Sequence, residues 1–121
     1  MLVVDDDDAI RTLLVLLLVR AGYDVDQASD GDAALVKLRL RRFHTLVLDL
    51  MMRLKSGFEV LDYLDANDDA GSPSIVLVTA AGPRDLRSIR SPLVRCVLRK
   101  PFDINELLDA VRKCTRGDEE S

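Results

Sequence analysis

The chain has little of what several function classes require. One histidine, His44, has no partner at ligand spacing, which points to a surface position ahead of an apolar run rather than to a metal ligand or a phosphohistidine. Two cysteines, Cys96 and Cys114, fall in an apolar run and a helical run, and no secretory leader is expected ahead of them. Buried reduced thiols are therefore expected, not a disulfide. The longest apolar run, LLVLLLV at 13–19, falls well short of the roughly 20 residues a bilayer span needs. It follows acidic residues and lacks a small-residue cleavage site, so it does not read as a leader. Basic residues are in deficit, 17 Lys and Arg against 21 Asp and Glu for a net charge of -4, which argues against non-specific nucleic-acid binding. No internal repeat, low-complexity tract or second-domain boundary is visible. A cytoplasmic protein is the expectation.

What remains is one ordinary globular domain: 121 residues, 48% hydrophobic and 31% charged. Short apolar runs alternate with longer amphipathic ones. The expected strands are Met1–Val4, Tyr23–Ala28, Thr45–Leu48, Ser74–Val78 and Val94–Leu98. Several are nearly continuous Val, Leu and Ile, the composition of strands covered on both faces. The expected helices are Ala9–Ala21, Asp32–Arg41, Gly57–Ala66, about Arg84–Arg90, and Asn105–Arg116. Gly22 closes the first, Ser29 or Asp30 caps the second, and ANDDAGSPS at 66–74 is a loop. Such alternation implies an open α/β domain with a parallel sheet and right-handed crossovers, spanning 1–116, with 117–121 a tail or the start of a linker. In doubly wound folds chemistry gathers beyond the carboxyl ends of the strands.

Those ends carry Asp5 and Asp6 after the first run, Asp49 after the third, Thr79 after the fourth and Lys100 after the fifth. Converging carboxylates raise one another's pKa unless a cation neutralises them. Carboxylate oxygens with a backbone carbonyl and waters suit Mg²⁺, which favours phosphate oxygens as further partners. A carboxylate there can attack phosphorus and form an acyl phosphate, with Lys100 supplying charge and Thr79 a hydrogen bond. Within VVDDDDA at 3–9, Asp7 and Asp8 instead begin the first helix, where negative charge and a capping oxygen suit the N-terminus.

Taken in order, VVDDD, R…L…L…GY, DG…AL, LVLDLMM…G, TA and KPFD resemble the receiver domains of two-component response regulators over the whole of 1–121. The resemblance implies a flavodoxin-like (βα)5 fold, a doubly wound five-stranded parallel sheet of order 2-1-3-4-5, and Mg²⁺-dependent phosphorylation by a sensor histidine kinase or histidine phosphotransfer protein. Carried over, Asp49 would accept the phosphoryl group. Asp6 would bind Mg²⁺ directly, Asp5 chiefly through water, Asp49 as well, and Met51 through its backbone carbonyl. Thr79 would be the switch hydroxyl, Ala80 would flank the phosphoryl group, and Lys100 would pair with it. Pro101 is the cis-proline candidate. The lifetime of the acyl phosphate would depend on water entering past Met51 and Ala81. A monomer or weak dimer is expected, and any nucleic-acid-binding output would lie beyond Ser121.

The first helix has more apolar residues than one buried face can hide. A stripe of Leu14, Leu17, Leu18 and Ala21 would face the core, leaving Val15 and Val19, or Leu13 and Leu16, outside as a contact surface. In receivers the first helix docks on the kinase, so Leu13, Val15, Leu16 and Val19 become the expected partner surface. Several positions depart from the family pattern. Arg53 replaces a proline, loosening the loop or placing a cation near the pocket. Val97 replaces the aromatic switch residue, and Leu93 and Val94 replace a Gly-Ala pair; Pro83 and Pro92 leave the fourth helix about two turns. A pseudo-receiver, an unphosphorylated protein-interaction scaffold, is the alternative. An aspartyl phosphohydrolase is disfavoured because Leu50 and Met51 stand where a general acid would be wanted.

Overall fold

The computed structural model describes residues 1–53, 56–67, 72–80 and 82–120, with side chains through Thr115. Residues 68–71 of the expected loop, Ala81 and Ser121 lie outside the described residues. Five strands alternate with five helices: β1 (Leu2–Val4), α1 (Asp8–Arg20), β2 (Asp26–Ala28), α2 (Gly31–Leu40), β3 (Thr45–Leu48), α3 (Gly57–Ala66), β4 (Ser74–Thr79), α4 (Pro83–Arg87), β5 (Val94–Arg99) and α5 (Ile104–Glu120). All pairings are parallel and the order is β2-β1-β3-β4-β5. The doubly wound, flavodoxin-like fold implied by the sequence is the one present.

Strand residues alternate between two apolar layers, which is why β3 and β4 read as unbroken hydrophobic runs. Leu2, Val4, Leu46, Leu48, Ile75 and Leu77 pack against α2 and α3 through Leu35, Val60, Leu61 and Leu64. Val3, Val47, Val76, Val78 and Leu98 face the other way, onto Leu14 and Leu18 of α1 and Leu107, Val111 and Cys114 of α5. Both cysteines are free thiols, Cys114 buried and Cys96 half-buried. Among the described residues no helix is long and apolar enough to cross a membrane.

Local chemistry sets the ends of the elements. Asp7 is the N-cap of α1, accepting from the N–H groups of Ala9 and Ile10 at 2.9 and 3.1 Å. Asp30, not Ser29, caps α2 by accepting from Ala33 N–H at 2.7 Å. At the other end of α1, Tyr23 N–H donates to Leu18 C=O and Gly22 N–H to Val19 C=O, with Gly22 at φ +100°, a turn that suits glycine. This reversal carries Ala21 out to solvent, so the core stripe expected there ends at Leu18. Several expected boundaries move. β2 is shorter than Tyr23–Ala28 because it pairs only with Leu2–Val4. Helix α4 stops at Arg87 rather than Arg90: the Ser88 N–H and hydroxyl both donate to Asp85 C=O, tightening the last turn. Helix α5 runs on past residue 116 to Glu120.

Candidate functional site

The ladder continues just past the strand ends and brings the acidic residues together. Asp5 N–H donates to Ala28 C=O at 3.3 Å and Asp49 N–H to Val4 C=O at 3.0 Å, setting Asp49 beside the end of β1. Lys100 N–H donates to Thr79 C=O at 2.9 Å, which holds the start of the β5–α5 loop against the end of β4. The Lys100–Pro101 peptide bond is cis. Lys100 Nζ donates to Asp5 Oδ2 at 2.8 Å and to Asp49 Oδ2 at 3.1 Å. Asp49 Oδ1 accepts from Met51 N–H at 3.0 Å, so both oxygens of this carboxylate are held and its orientation is fixed. Asp5, Asp6 and Asp49 each offer an oxygen within 4.8 Å of the others.

Gly57 explains how the chain after Asp49 can fold back so tightly. Its N–H donates to Leu50 C=O at 3.0 Å, and a Cβ at this position would meet the Asp49 carbonyl oxygen and lie 2.6 Å from Leu50 Cα. Only a residue without a side chain fits there.

Burial sharpens the electrostatics. Asp5 and Asp49 are 1% and 5% exposed, while Asp6 is half-buried at the mouth. Burial raises the Asp5 pKa, and the hydrogen bond from Lys100 offsets this incompletely. For Lys100 burial acts to lower the pKa, but bonding to Asp5 and the charge of Asp49 outweigh it and the ammonium is held above its ordinary range. At Asp6 partial burial acts upward and is outweighed by Arg53, whose N–H and Nε donate to Oδ2 at 2.9 and 3.2 Å, so this carboxylate titrates below its ordinary value. Three carboxylates thus face two cations. An all-oxygen donor set of this kind, with excess negative charge, fits a hard divalent cation such as Mg²⁺.

Of the other expected residues, Thr79 is buried at the end of β4 and Ala80, next in the chain, is exposed. The Met51 side chain is exposed and that of Met52 buried. On α1, Leu13, Leu16 and Val19 are 45%, 50% and 51% exposed, whereas Val15 is half-buried against the α1–α5 layer. The exposed apolar residues therefore come from both of the pairs considered. Val97 is exposed on β5, and Leu93 and Val94 pack against the α2–α3 layer.

Sequence reasoning missed Arg11. Its guanidinium donates to Asp5 C=O at 2.9 Å, to Gln27 Oε1 at 3.0 Å and to Asp8 Oδ1 at 2.6 Å, bracing the β1–α1 loop on which Asp5 and Asp6 sit. An arginine one turn into a helix that begins with carboxylates was the available signal. Of the two consequences considered for Arg53, a cation near the pocket is the one found: it borders an open cleft lined also by Asp6, Asp7, Asp8, Ala9 and Met51.

Comparison with known proteins points to one family. The sequence profile described as "Response regulator receiver domain" matches residues 1–112. Response regulator RR06 of Streptococcus pneumoniae is 34% identical over 95% of this chain and 52% of its own length. Sporulation initiation phosphotransferase F of Bacillus subtilis is 33% identical over 93% of this chain and 90% of its own. The chain spans about half the length of curated relatives such as RR06 and the Synechocystis regulator RpaA, at 52% and 48%. Among solved structures, response regulator TrrA of Thermotoga maritima, in complex with Mg²⁺-BeF, has a TM-score of 0.82 at 32% identity, covering 93% of this chain and 96% of that one. The signal receiver domain of a Bermanella marisrubri response regulator has a TM-score of 0.85 at 32% identity, covering 94% and 95%.

Proposed function

The chain belongs to the response regulator receiver family, and on that premise we propose that Asp49 accepts a phosphoryl group from a histidine of a sensor kinase or phosphotransfer protein in a Mg²⁺-dependent reaction. The single observation that carries this is the junction of Asp49 with Asp5, Asp6 and Lys100, drawn from three separate strand ends. An Asp49 oxygen attacks phosphorus as the P–N bond breaks, and the electron pair leaves with the imidazole nitrogen, which takes a proton. Lys100 shields the charge of the acceptor before attack and of the transferred oxygens after it. The hydrogen bonds from Met51 N–H and Lys100 hold the nucleophile in one orientation, lowering the entropic part of the barrier. Asp5, Asp6, Asp49 and the Met51 carbonyl would hold the Mg²⁺, which when bound neutralises charge on the phosphoryl oxygens. Thr79 and Ala80 would contact those oxygens from the end of β4.

The exposed leucines and Val19 on α1 are the proposed docking face for the histidine-bearing partner, with Val15 at its edge, and a cytoplasmic location is part of the same proposal. The test is intact mass after incubation with Mg²⁺ and acetyl phosphate. One base-labile phosphoryl adduct is expected in the wild type and none in Asp49→Ala. Absence of any adduct in the wild type, together with no Mg²⁺ binding, would instead support an unphosphorylated scaffold.

A further inference from the structure

Arg53 touches the site in a way the reaction does not ask for. Asp6 Oδ2 accepts from both the Arg53 N–H at 2.9 Å and Nε at 3.2 Å, so one residue satisfies one oxygen twice. The arginine head is 84% exposed, while the carboxylate it holds is 19% exposed at the mouth of the acidic cluster. The guanidinium therefore gains little from packing, and among the described residues its one ion pair is with the outermost carboxylate of the acidic cluster.

We propose that Arg53 is a built-in competitor of the divalent cation for Asp6, and so a residue that sets the affinity of this site for Mg²⁺. The inference rests on the proposed Mg²⁺ site. A divalent ion that uses Asp6 must either displace the guanidinium or bind beside it. The first breaks the ion pair and hydrogen bond that Nε makes to Asp6, leaving only the backbone N–H bond to that oxygen; the second sets like charges against each other. Both weaken binding relative to a chain with an uncharged residue at 53. Lys100 does not duplicate this role, because it bonds the inner carboxylates Asp5 and Asp49 and makes no bond to Asp6. The competition is electrostatic and exposed, so it fades as ionic strength rises.

The experiment is a Mg²⁺ titration of the 121-residue chain, followed through amide chemical shifts, for the wild type, Arg53→Ala, Arg53→Pro and Arg20→Ala. Arg20 lies in the last turn of α1, at the opposite end of that helix from Asp8, and controls for net charge. Loss of an exposed ion pair gives an expected tightening in Arg53→Ala of about three- to fivefold at low salt, shrinking towards none near 1 M KCl. Arg53→Pro, which also removes the N–H donor, should tighten binding at least as much. Arg20→Ala should leave the affinity unchanged. Equal or weaker binding in Arg53→Ala, or equal tightening in Arg20→Ala, overturns the proposal while leaving the Mg²⁺ site standing. No Mg²⁺ binding by any of the four proteins overturns both.

Discussion

Gly57 is the residue on which the loop after Asp49, the proposed acceptor, turns. A methyl group there would collide with the Asp49 carbonyl and the Leu50 Cα, which are backbone atoms and cannot swing aside as a side chain would. Gly57→Ala is expected to lose about 1–3 kcal/mol, the usual cost of overpacking a tight site. It should also slow phosphorylation, because relief can come only from moving the chain that carries Asp49. Urea denaturation and the rate of adduct formation measure the two effects, and a variant with wild-type stability would show the contact to be soft. At this scale the sequence was informative wherever a residue acts from a strand end. Asp5, Asp49 and Lys100 were each legible because an apolar run points at them. The pairing of Asp6 with Arg53 was not, since 47 residues separate them and no local pattern links the two.

Among elements, β3 and β2 show what periodicity can and cannot reveal. Residues Thr45–Leu48 are all buried, and the apolar run alone located β3. Yet within it the Thr45 hydroxyl has no hydrogen-bond partner among the described residues. Thr45→Val keeps the β-branched shape and removes an unpaired polar atom, so a stabilisation of about 1 kcal/mol is expected. It would appear as a higher urea midpoint with an unchanged slope, and a lower midpoint would reveal a partner for the hydroxyl.

The edge strand β2 was over-extended by sequence because its limit is set by the three residues of β1 that face it, not by its own composition. Its first residue, Asp26, accepts from Lys37 of α2 at 2.6 Å, and this bond holds the carboxyl below its ordinary pKa. A depressed folded-state pKa stabilises above the unfolded value, near 4, and the benefit is lost as pH falls through the folded one. Asp26→Asn should therefore be less stable than wild type at pH 7, by at most about 1 kcal/mol for a pair this exposed, with the gap closing below pH 4. Denaturation midpoints at pH 7 and pH 3.5 test the sign, and a gap that widened on acidification would contradict it.

For the whole molecule, strict β–α alternation was enough to place the functional edge, because parallel crossovers put every strand end on one side. What alternation left open was the balance of charge at that edge. The fold gathers three carboxylates and answers them with Lys100 and Arg53, and both Asp5 and Asp49 are buried. Folding thus assembles an acidic cluster, the proposed cation site, that the unfolded chain, with its acidic residues dispersed, does not possess. A ligand of the folded state alone raises stability by mass action, by about 1.4 kcal/mol at ten times its dissociation constant. For a domain of this length that corresponds to roughly 5 °C in melting temperature. Mg²⁺ is expected to produce this rise in the wild type and to lose most of it in Asp6→Asn, while NaCl at matched ionic strength produces little. The increment on adding Mg²⁺ is the quantity to compare, since Asp6→Asn also relieves repulsion and shifts the baseline. Were NaCl to match Mg²⁺, or Asp6→Asn to keep the full increment, the stabilisation would come from general screening of the acidic surface and not from an ion held between these strand ends.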